Sequence, residues 1–499
     1  MAAKMPVVVC CRAWSYVLLV ASAVACGAFG ARAPAMAAVP STAAENAGPG
    51  TTAWYVPRPT QDAIAGYAGA PSYLRRETVH LFVESHGRAF RYRVFRLGWY
   101  RGRTGRLLAS GSVGSNPPQA SPRILDDRPG GAKLLQTGWR ESLAFPVGGA
   151  WPSGFYLVRL DLERGVGTSY ASFVVRDAEP GPIVVVLATN TWQAYNTWGR
   201  VSLYRDLRQR GSARWTRRDV AHVVTSLRPY VQGYGAGDVF RYDLPVLRWL
   251  ERNGYPVSYA TDRDVARGSV AGSGTTLVIL SGHPEYHDAR EQANLVRLVQ
   301  RGVSLAILGG NAFGWHARLD HRDQRLSVWR ERRLDPHPGR AATVPWVTLG
   351  WNPATLTGVR PVHGRPGPLR LENAAGWAWS GVPPGSRLGG VLGAEYDGTS
   401  GRRPARRTTV LASAPIPGSS QRVAWTLVEH PAGAFVFSGS ELGFSWQLDY
   451  PSLPSERWID AASPEGSRRD YPRASQVRTA VRRLVENLIA HSTGLEPTT

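Results

Sequence analysis

The second half of the chain alternates uniformly apolar segments with segments of helical spacing, and this alternation limits the possible folds more than any other feature. Apolar runs occupy residues 183–188, 275–280 and 304–308. Asp288 begins a capping-box-like sequence that opens a helix between the last two runs. Strands that are buried on both faces and joined by helices form parallel sheets. We therefore predict an α/β domain with a doubly wound parallel sheet over residues 182–492.

The first half has a different pattern, in which short segments alternate or run apolar and are separated by Gly, Pro and Ser. Such segments occupy residues 79–83, 90–96, 154–160 and 169–175. This spacing is typical of an antiparallel β-sandwich of the immunoglobulin-like kind, which we predict over residues 55–177. The sequence Glu-Pro-Gly-Pro at residues 179–182 marks the boundary between the two predicted domains.

Further segments complete the predicted second domain. Residues 240–252 have helical spacing, and residues 255–260 read as another strand. Residues 317–432 are rich in Pro, Gly and Arg, which indicates an irregular, β-rich insertion. Residues 433–438 predict a last core strand, and the apolar spacing of residues 474–490 predicts a closing amphipathic helix.

The N-terminus has the three parts of an export signal. A basic start, with Lys4 and Arg12, leads into an apolar stretch over residues 13–30. Ala35-Met-Ala37 then offers a small-residue cleavage site, so we predict a signal peptide over residues 1–37. The protein is accordingly expected to be secreted or periplasmic. A retained single-span anchor is the alternative, although the apolar stretch is short for a span and diluted by small residues.

The cysteines bear on both localisation and chemistry. A lipoprotein is a second alternative for the N-terminus, because Ala23-Val-Ala-Cys26 loosely matches a lipidation box. All three cysteines lie within the predicted signal: Cys10, Cys11 and Cys26. The mature chain, which begins with a predicted linker over residues 38–54, would then have no disulfide, no thiolate metal site and no Cys nucleophile.

The chain is strongly basic, with a formal net charge of +22. The basic residues are almost all Arg, with Lys only at Lys4 and Lys133, and they are spread along the chain instead of forming a cluster. No recognition helix, zinc finger or RNA-binding motif accompanies them. We therefore expect no nucleic-acid partner, while the charge is compatible with contact with an anionic cell envelope.

Three of the predicted strands end in loops that are unusually rich in polar and metal-binding side chains. The first is followed by residues 189–199, the second by residues 281–287 and the third by residues 309–315. In an open parallel sheet, ligands bind outside the carboxyl ends of the strands. These loops therefore predict a site at one edge of the sheet.

The tripeptide His283-Pro284-Glu285 gives the clearest chemical signal. Pro284 favours an extended conformation at His283, and residues two apart in an extended chain face the same side. His283 and Glu285 would then point into one cleft, as a metal ligand with a general base or as an acid/base pair. The alternative is a helix-capping loop in which Glu285 forms a surface salt bridge.

Other polar residues near the strand ends have less specific patterns. Tyr195 and Tyr204 are candidates, although aromatic side chains in such loops commonly serve packing. The amide of Asn311 can orient a carbonyl or stabilise an oxyanion. Glu395 and Glu441 lie in Gly-rich segments, where a structural role is the alternative. No Gly-x-Ser-x-Gly, Walker, His-Glu-x-x-His or dinucleotide-binding motif is present, which argues against those enzyme classes.

Four short segments together resemble the large (β) subunit of N,N-dimethylformamidase and its relatives. They are Arg-Leu-Gly-Trp-Tyr at residues 96–100, Ala-Tyr-Asn at 194–196, Ser-Gly-His-Pro-Glu-Tyr-His at 281–287 and Leu-Gly-Gly-Asn at 308–311. The resemblance covers most of the chain from about Gly66 onward and is densest between about Ile183 and Trp315. It implies that the second domain is similar to class I glutamine amidotransferases but lacks their Cys.

The resemblance also implies a metal centre. Enzymes of that family hold one iron through two Tyr and one Glu, and the matching positions here are Tyr195, Tyr204 and Glu285. Two phenolates and a carboxylate are hard oxygen donors, which suit Fe(III). The other active-site residues of the family match three further positions of this chain: His283, Asn311 and Glu395.

We therefore expect a secreted amidohydrolase-like enzyme that acts on small amide C–N bonds and uses mononuclear Fe(III). A small subunit or a second copy of the chain is a compatible partner. The rival interpretation is a non-catalytic cell-envelope or carbohydrate-binding protein that keeps the scaffold and binds through its β-sandwich and aromatic surface. The two interpretations differ in metal content, because the rival predicts no stoichiometric iron.

Overall fold

The computed structural model describes residues 39–208, 218–386, 388–400, 407–449 and 478–497. The predicted signal peptide over residues 1–37 lies outside these ranges, as do the first residues of the predicted closing helix. Within the described ranges, no helix is both long enough and apolar enough to cross a bilayer.

The helices and strands of the described residues follow the sequence-based expectations in most of the chain. The α-helices are α1 (Thr42–Ala47), α2 (Thr189–Tyr195), α3 (Asp243–Arg252), α4 (Asp262–Arg267), α5 (Ala289–Gln300), α6 (Ala354–Thr357) and α7 (Arg478–Thr493). The strands of the first half are β1 (Ala65–Ala68), β2 (Ser72–Leu74), β3 (Thr78–Glu84), β4 (Phe90–Leu97), β5 (Gly105–Val113), β6 (Arg123–Leu125), β7 (Leu134–Gln136), β8 (Leu143–Pro146), β9 (Gly154–Leu162) and β10 (Thr168–Arg176).

The second half contributes fourteen further strands among the described residues. They are β11 (Ile183–Leu187), β12 (Val223–Thr225), β13 (Val257–Thr261), β14 (Leu277–Gly282), β15 (Tyr286–Asp288), β16 (Ser304–Gly309), β17 (Trp315–Leu319), β18 (Arg325–Ser327), β19 (Arg360–Val362), β20 (Arg370–Leu371), β21 (Tyr396–Ser400), β22 (Thr408–Pro415), β23 (Gln421–Glu429) and β24 (Phe435–Ser438). The strands predicted from the sequence correspond to β3, β4, β9, β10, β11, β13, β14, β16 and β24, so these predictions are confirmed.

Two sheets dominate the first half. One has three antiparallel strands in the order β1-β3-β8, and the other has five strands in the order β2-β10-β9-β4-β5. Pairing in the larger sheet is antiparallel except between β2 and β10. Val79, Leu81 and Val83 are buried at alternate positions of β3, and they share one core with Tyr156 and Phe173 of the larger sheet. The antiparallel sheets are thus confirmed, while the immunoglobulin-like sandwich stays a prediction.

A ten-stranded mixed sheet organises the second half. Its path is β13-β11-β14-β16-β24-β23-β21-β19, and β22 pairs with β23 and β20. The first five strands of this path are parallel, and every residue of β11, β14 and β16 is buried. Val185 packs with side chains of α3 and α7, whereas its neighbour Val184 packs with side chains of α4 and α5. The combination of helices and sheets is confirmed; the doubly wound, amidotransferase-like arrangement stays a prediction.

Residues 317–432 are rich in strands, and several of these strands extend the main sheet. β19, β21, β22 and β23 add antiparallel pairs beyond β24. A separate four-stranded sheet has the order β12-β18-β17-β15. The added strands bring Glu395, which directly precedes β21, into contact with Asn311 after the carboxyl end of β16. This contact completes the site described below.

A buried ion pair joins the first half to the second. Arg96 of β4 donates to both carboxylate oxygens of Glu251 in α3, at 2.7 and 3.0 Å. Tyr259 and Asn46 donate to the same carboxylate, each at 2.7 Å. Arg96 also donates to the carbonyl oxygen of Ser153. We call these five residues the junction cluster; its guanidinium and carboxylate neutralise each other, which makes their burial tolerable.

Candidate active site

The three polar strand ends meet at one edge of the main sheet. β11, β14 and β16 are neighbours in that sheet and run in the same direction. Tyr195 closes α2, which begins shortly after β11, and His283 follows β14 directly. Asn311 stands two residues after the end of β16. The sheet therefore brings together side chains that are far apart in the sequence.

Two glycines allow the ends of β14 and β16 to approach closely. A Cβ atom on Gly309 would lie 1.7 Å from the carbonyl oxygen of Gly282, which leaves no room for a side chain. Asn311 has a φ angle of 55°, a left-handed conformation that Asn tolerates better than most residues. Asp397 accepts a hydrogen bond from the backbone N–H of Ala312 at 3.0 Å, which holds the turn that presents Asn311.

Two tyrosines converge on the carboxylate of Glu285. Tyr195 OH donates to Oε2 at 2.9 Å, and Tyr204 OH lies 3.1 and 3.2 Å from the two oxygens. The tyrosine rings are stacked, with centroids 4.2 Å apart. The guanidinium of Arg330 lies 3.9 Å from the centre of the Tyr204 ring and donates to Tyr286 OH. Three oxygen-bearing side chains therefore meet at one place.

A second group of side chains adjoins this carboxylate. His283 Nε2 lies 3.0 Å from Glu395 Oε2 and 3.4 Å from Glu285 Oε2. Asn311 Nδ2 donates to Glu395 at 2.5 Å, and Tyr195 OH lies 3.4 Å from the other oxygen of Glu395. The structure thus connects all the site residues expected from the sequence. We call them the site cluster: Tyr195, Tyr204, His283, Glu285, Asn311 and Glu395.

Burial and neighbouring charge raise the pKa values of Glu285 and of the two tyrosines that contact it. Burial raises the pKa of the Glu285 carboxyl, and the charge of Glu395 raises it further. The phenol pKa values of Tyr195 and Tyr204 lie well above the ordinary value of 10 because of burial and the nearby charge of Glu285. Both phenols therefore keep the protons that they donate to Glu285.

His283 and Glu395 behave as an ion pair. Burial opposes ionisation of Glu395, but His283 and Asn311 outweigh it and lower the pKa of the carboxyl to about 2. Burial likewise opposes protonation of His283, and the charges of Glu395 and Glu285 outweigh it, so that the pKa of the imidazole is raised. The contact therefore favours the protonated form of the imidazole beside an ionised carboxylate.

The loop that carries His283 and Glu285 is clamped to α5. The ring of His287 bonds through Nε2 to the carbonyl oxygen of Pro284 at 2.8 Å, and its Nδ1 lies 3.0 Å from Glu291. Burial lowers the pKa of His287 to about 4 and raises that of Glu291 well above its usual value. Because a carbonyl oxygen can only accept, Nε2 of His287 carries a proton and donates it to Pro284.

Sequence reasoning missed this clamp and two other supporting residues. The four-residue spacing of His287 and Glu291 at the start of a predicted helix was an available signal. Asp397 stands two residues after Glu395, but nothing local marks Arg330, which lies in a segment without regular spacing. Glu441, the other carboxylate considered from the sequence, has a structural role, because it accepts a hydrogen bond from the backbone N–H of Leu392 at 2.8 Å.

The site cluster has the donor set of a hard metal ion. Tyr195, Tyr204 and Glu285 offer three oxygen donors. His283, Glu285 and Glu395 each offer a donor atom, and these atoms lie within 4.8 Å of one another. Burial favours the protonated form of Glu285 and of the two tyrosines, and a multivalent cation that replaced these protons would compensate the negative charge. Fe(III) prefers oxygen donors of this kind, so the residues fit iron.

Two cavities open onto the site cluster. The larger, of about 670 Å³, is lined in part by Glu285 and Asn311. The smaller, of about 310 Å³, is lined in part by His283. Tyr195 and Glu395 line both. Small molecules can therefore reach the carboxylates and the imidazole from separate spaces.

Comparisons with known proteins bear on this arrangement. The N,N-dimethylformamidase beta subunit-like, C-terminal family matches residues 91–458. No curated protein matches the chain at a significant level. Among solved structures, a family 123 glycoside hydrolase from Clostridium perfringens is similar at 7% sequence identity and a TM-score of 0.11, over 53% of this chain and 51% of that chain. That match spans about half of the glycoside hydrolase and carries no argument about fold or function.

Proposed function

The chain belongs to the N,N-dimethylformamidase beta subunit-like family, and on this premise we propose that it is an iron-dependent amidohydrolase that cleaves amide C–N bonds. One observation carries the proposal: Tyr195 and Tyr204 converge on Glu285 directly beside the ion pair of His283 and Glu395. Amide hydrolysis by this route needs a Lewis acid, a proton acceptor and a proton donor. The cluster supplies a place for the first and side chains for the other two.

Tyr195, Tyr204 and Glu285 would hold the iron. Iron bound by them would supply Lewis acidity to water and to the amide carbonyl. Stacking of the two rings fixes both phenol oxygens, and the bond from His287 to Pro284 fixes the loop that carries Glu285. The supporting contacts therefore set the position of the three donors before any ligand arrives, as side chains around metal ligands commonly do.

The remaining residues of the site cluster would act on the substrate. Asn311 Nδ2, which donates to Glu395 here, can donate to the carbonyl oxygen and stabilise its developing negative charge. Glu395 can take a proton from the water whose oxygen bonds to the carbonyl carbon. His283 can give its Nε2 proton to the amine nitrogen as the C–N bond breaks. The products are a carboxylic acid and an amine.

We also propose that the enzyme acts outside the cytoplasm. The support is the sequence pattern of residues 1–37, in which a basic start, an apolar stretch and a small-residue cleavage site follow one another. Sequencing the N-terminus of the exported protein should find it near Ala38. An exported protein that begins with Met1 would contradict this proposal.

Metal analysis and amine release test the catalytic proposal together. The purified protein should contain about one iron per chain and absorb visible light through charge transfer from phenolate to iron. Glu285→Ala should lose the iron, and Tyr195→Phe should shift or bleach the colour. The control is Arg164→Ala, at an exposed position in the turn between β9 and β10, and it should keep both.

The activity assay measures amine released from dimethylformamide and a panel of other small amides. Iron-loaded protein that releases no amine from any of them would refute the hydrolase and favour the non-catalytic binding protein. A colourless, iron-free protein with full activity would refute the metal while leaving the hydrolase.

A further inference from the structure

The larger cavity exceeds what a small amide needs. Its volume is about 670 Å³. Dimethylformamide has five heavy atoms, which occupy about 150 Å³ if each takes roughly the 30 Å³ of a water molecule. Most of the cavity therefore lies beyond the group that reacts, and a ligand that fills it carries a substituent several times larger than a methyl group.

The lining beyond the site cluster is apolar for much of its surface. Trp315, Val347 and Val362 contribute side chains to it, together with several prolines. Among the described lining residues, the only carboxylates are Glu285 and Glu395, and both belong to the site cluster. A substituent in this space would thus lie against apolar walls and meet no negative charge away from the reacting group.

Two arginines line the same cavity, and their surroundings differ. Arg330 donates to the carbonyl oxygen of Leu203 at 2.9 Å and to Tyr286 OH at 2.5 Å, and it lies over the ring of Tyr204. Arg360 of β19 is only half-buried, and its side chain makes no hydrogen bond or ion pair with the residues that the structure describes. Arg330 is therefore held by the protein, whereas the guanidinium of Arg360 has its donors available to a ligand.

We propose that the substrates are amides whose substituent is extended, apolar along its length and ends in a carboxylate that binds Arg360. This inference rests on the proposed amidohydrolase function and specifies its substrate class. A guanidinium offers two parallel donors that match the two oxygens of a carboxylate. Arg360 lies opposite Gly398 and Val362 lies opposite Tyr396, which directly follows Glu395, so the apolar Val362 stands nearer to the site cluster than Arg360 does. Asn311 and Glu285 mark where the amide lies.

A matched pair of substrates tests the proposal. Two formamides of equal length are compared, one ending in a carboxylate and the other in a neutral carboxamide. Iron-loaded wild-type protein should favour the carboxylate in kcat/KM by roughly 10–100-fold, the range expected for a hydrogen bond to a charged group. In Arg360→Ala the ratio should fall to about one. Arg164→Ala, which removes an exposed arginine elsewhere, should keep the wild-type ratio.

Calorimetric titration of both compounds separates this inference from the proposed function. If the wild type hydrolyses both formamides with equal kcat/KM, the amidohydrolase stands and the substrate class is wrong. A carboxylate preference that survives in Arg360→Ala also overturns the assignment. If neither compound is hydrolysed, the proposed function fails, and the measured affinities then test carboxylate binding by Arg360 separately. Tighter binding of the carboxylate compound that Arg360→Ala abolishes supports this role of Arg360. Equal binding of the two compounds refutes it.

Discussion

The junction cluster and the site cluster are each built around a buried glutamate with tyrosine neighbours, yet the charges around the two glutamates are arranged differently. Glu251 receives two hydrogen bonds from Arg96 and further ones from Tyr259 and Asn46. Glu285 receives its hydrogen bonds from two phenols and lies near a second carboxylate, Glu395. Glu251 has a guanidinium of its own, whereas Glu285 shares one imidazole, that of His283, with the second carboxylate Glu395.

The difference separates a structural role from a functional one. A buried carboxylate with a guanidinium and satisfied hydrogen bonds can persist without any ligand. Two carboxylates that share one imidazole among phenols have fewer cations than acidic groups, and protons held by those groups can be exchanged for a metal. The presence of tyrosine and glutamate therefore does not by itself indicate a metal site; the number of cationic side chains relative to carboxylates distinguishes the two clusters.

Removal of the guanidinium from the junction cluster should have the largest effect on stability. Arg96→Met leaves Glu251 buried without its cation, and breaking a buried ion pair commonly costs about 3–5 kcal/mol. Urea denaturation should show this loss in the free energy of unfolding. The double variant Arg96→Met with Glu251→Met should recover most of it, because no charge then remains unpaired. A double variant that is no more stable than Arg96→Met would mean that packing, not charge, holds the junction.

Removal of the amide of Asn311 should lower catalysis and leave the metal in place. Asn311→Ala should reduce the turnover of small amides by roughly 10²–10³-fold, the usual effect of one lost oxyanion donor. Because Asn311 has a φ angle of 55°, Asn311→Gly provides a control without backbone strain. Equal losses in both variants, at unchanged iron content, would assign the effect to the side chain. Turnover within tenfold of wild type would exclude Asn311 from transition-state stabilisation.

His222 is a buried base, and it can be compared with the buried carboxylates of the two clusters. Its ring stacks on Trp329 with centroids 4.5 Å apart, and burial together with the charge of Arg330 lowers its pKa from 6.5 to about 4. The folded protein buries His222 in its neutral form. The contribution of the neutral His222 ring to the free energy of unfolding is therefore complete above pH 6.5 and is lost as the pH falls toward 4. At about pH 4.5 the loss should reach roughly 2–3 kcal/mol.

The measurement is the free energy of unfolding of wild type and His222→Gln at about pH 7 and about pH 4.5. The variant should lose less stability between the two, since glutamine does not titrate. Parallel losses in both proteins would show that protonation of His222 does not contribute.

The smallest expected effect on stability is that of replacing Glu285, and the same replacement at Glu251 provides a direct comparison. In protein treated with a chelator, Glu285→Gln should change the free energy of unfolding by less than about 1 kcal/mol, because the phenols can donate to a neutral amide oxygen as well. Glu251→Gln in the junction cluster should cost about 3 kcal/mol, since Arg96 is then left unpaired. Equal losses in the free energy of unfolding would show that the two carboxylates contribute equally to stability, which contradicts a structural role for Glu251 alone.

The local hydrophobic pattern of the sequence was sufficient to predict the parallel strands of the main sheet. β11, β14 and β16 are buried along their whole length, so each appears in the sequence as an unbroken apolar run. Their ends then located His283 and Asn311, because neighbouring parallel strands end at one edge. The roles of Tyr204 and Glu395 came from the family resemblance, since no spacing in the sequence indicates them.

The later strands were not predictable in the same way. β19 is three residues long, and its Arg360 pairs with Gly398 of β21. Such pairing joins segments that are far apart, and local hydrophobic spacing does not record it. Asp397 could not be predicted for the same reason, because its contact with the turn at Ala312 exists only in the folded protein. Arg330 likewise acts through partners more than forty residues away.

Two regions of the second half differ in which amino-acid substitutions they can accept. The end of β16 at Gly309 is one, and the antiparallel strands added beyond β24 are the other. A Cβ atom on Gly309 would collide with the backbone of Gly282, so position 309 accepts no larger residue. The walls of the larger cavity come partly from β19 and β23, which are antiparallel additions remote from that contact. If the proposed function holds, we expect substitutions at Arg360, Val362 or Gln421 to change which amide is accepted more than they change the reaction itself. For protein engineering, these added strands are the place to diversify, and the glycine contact is the place to leave fixed.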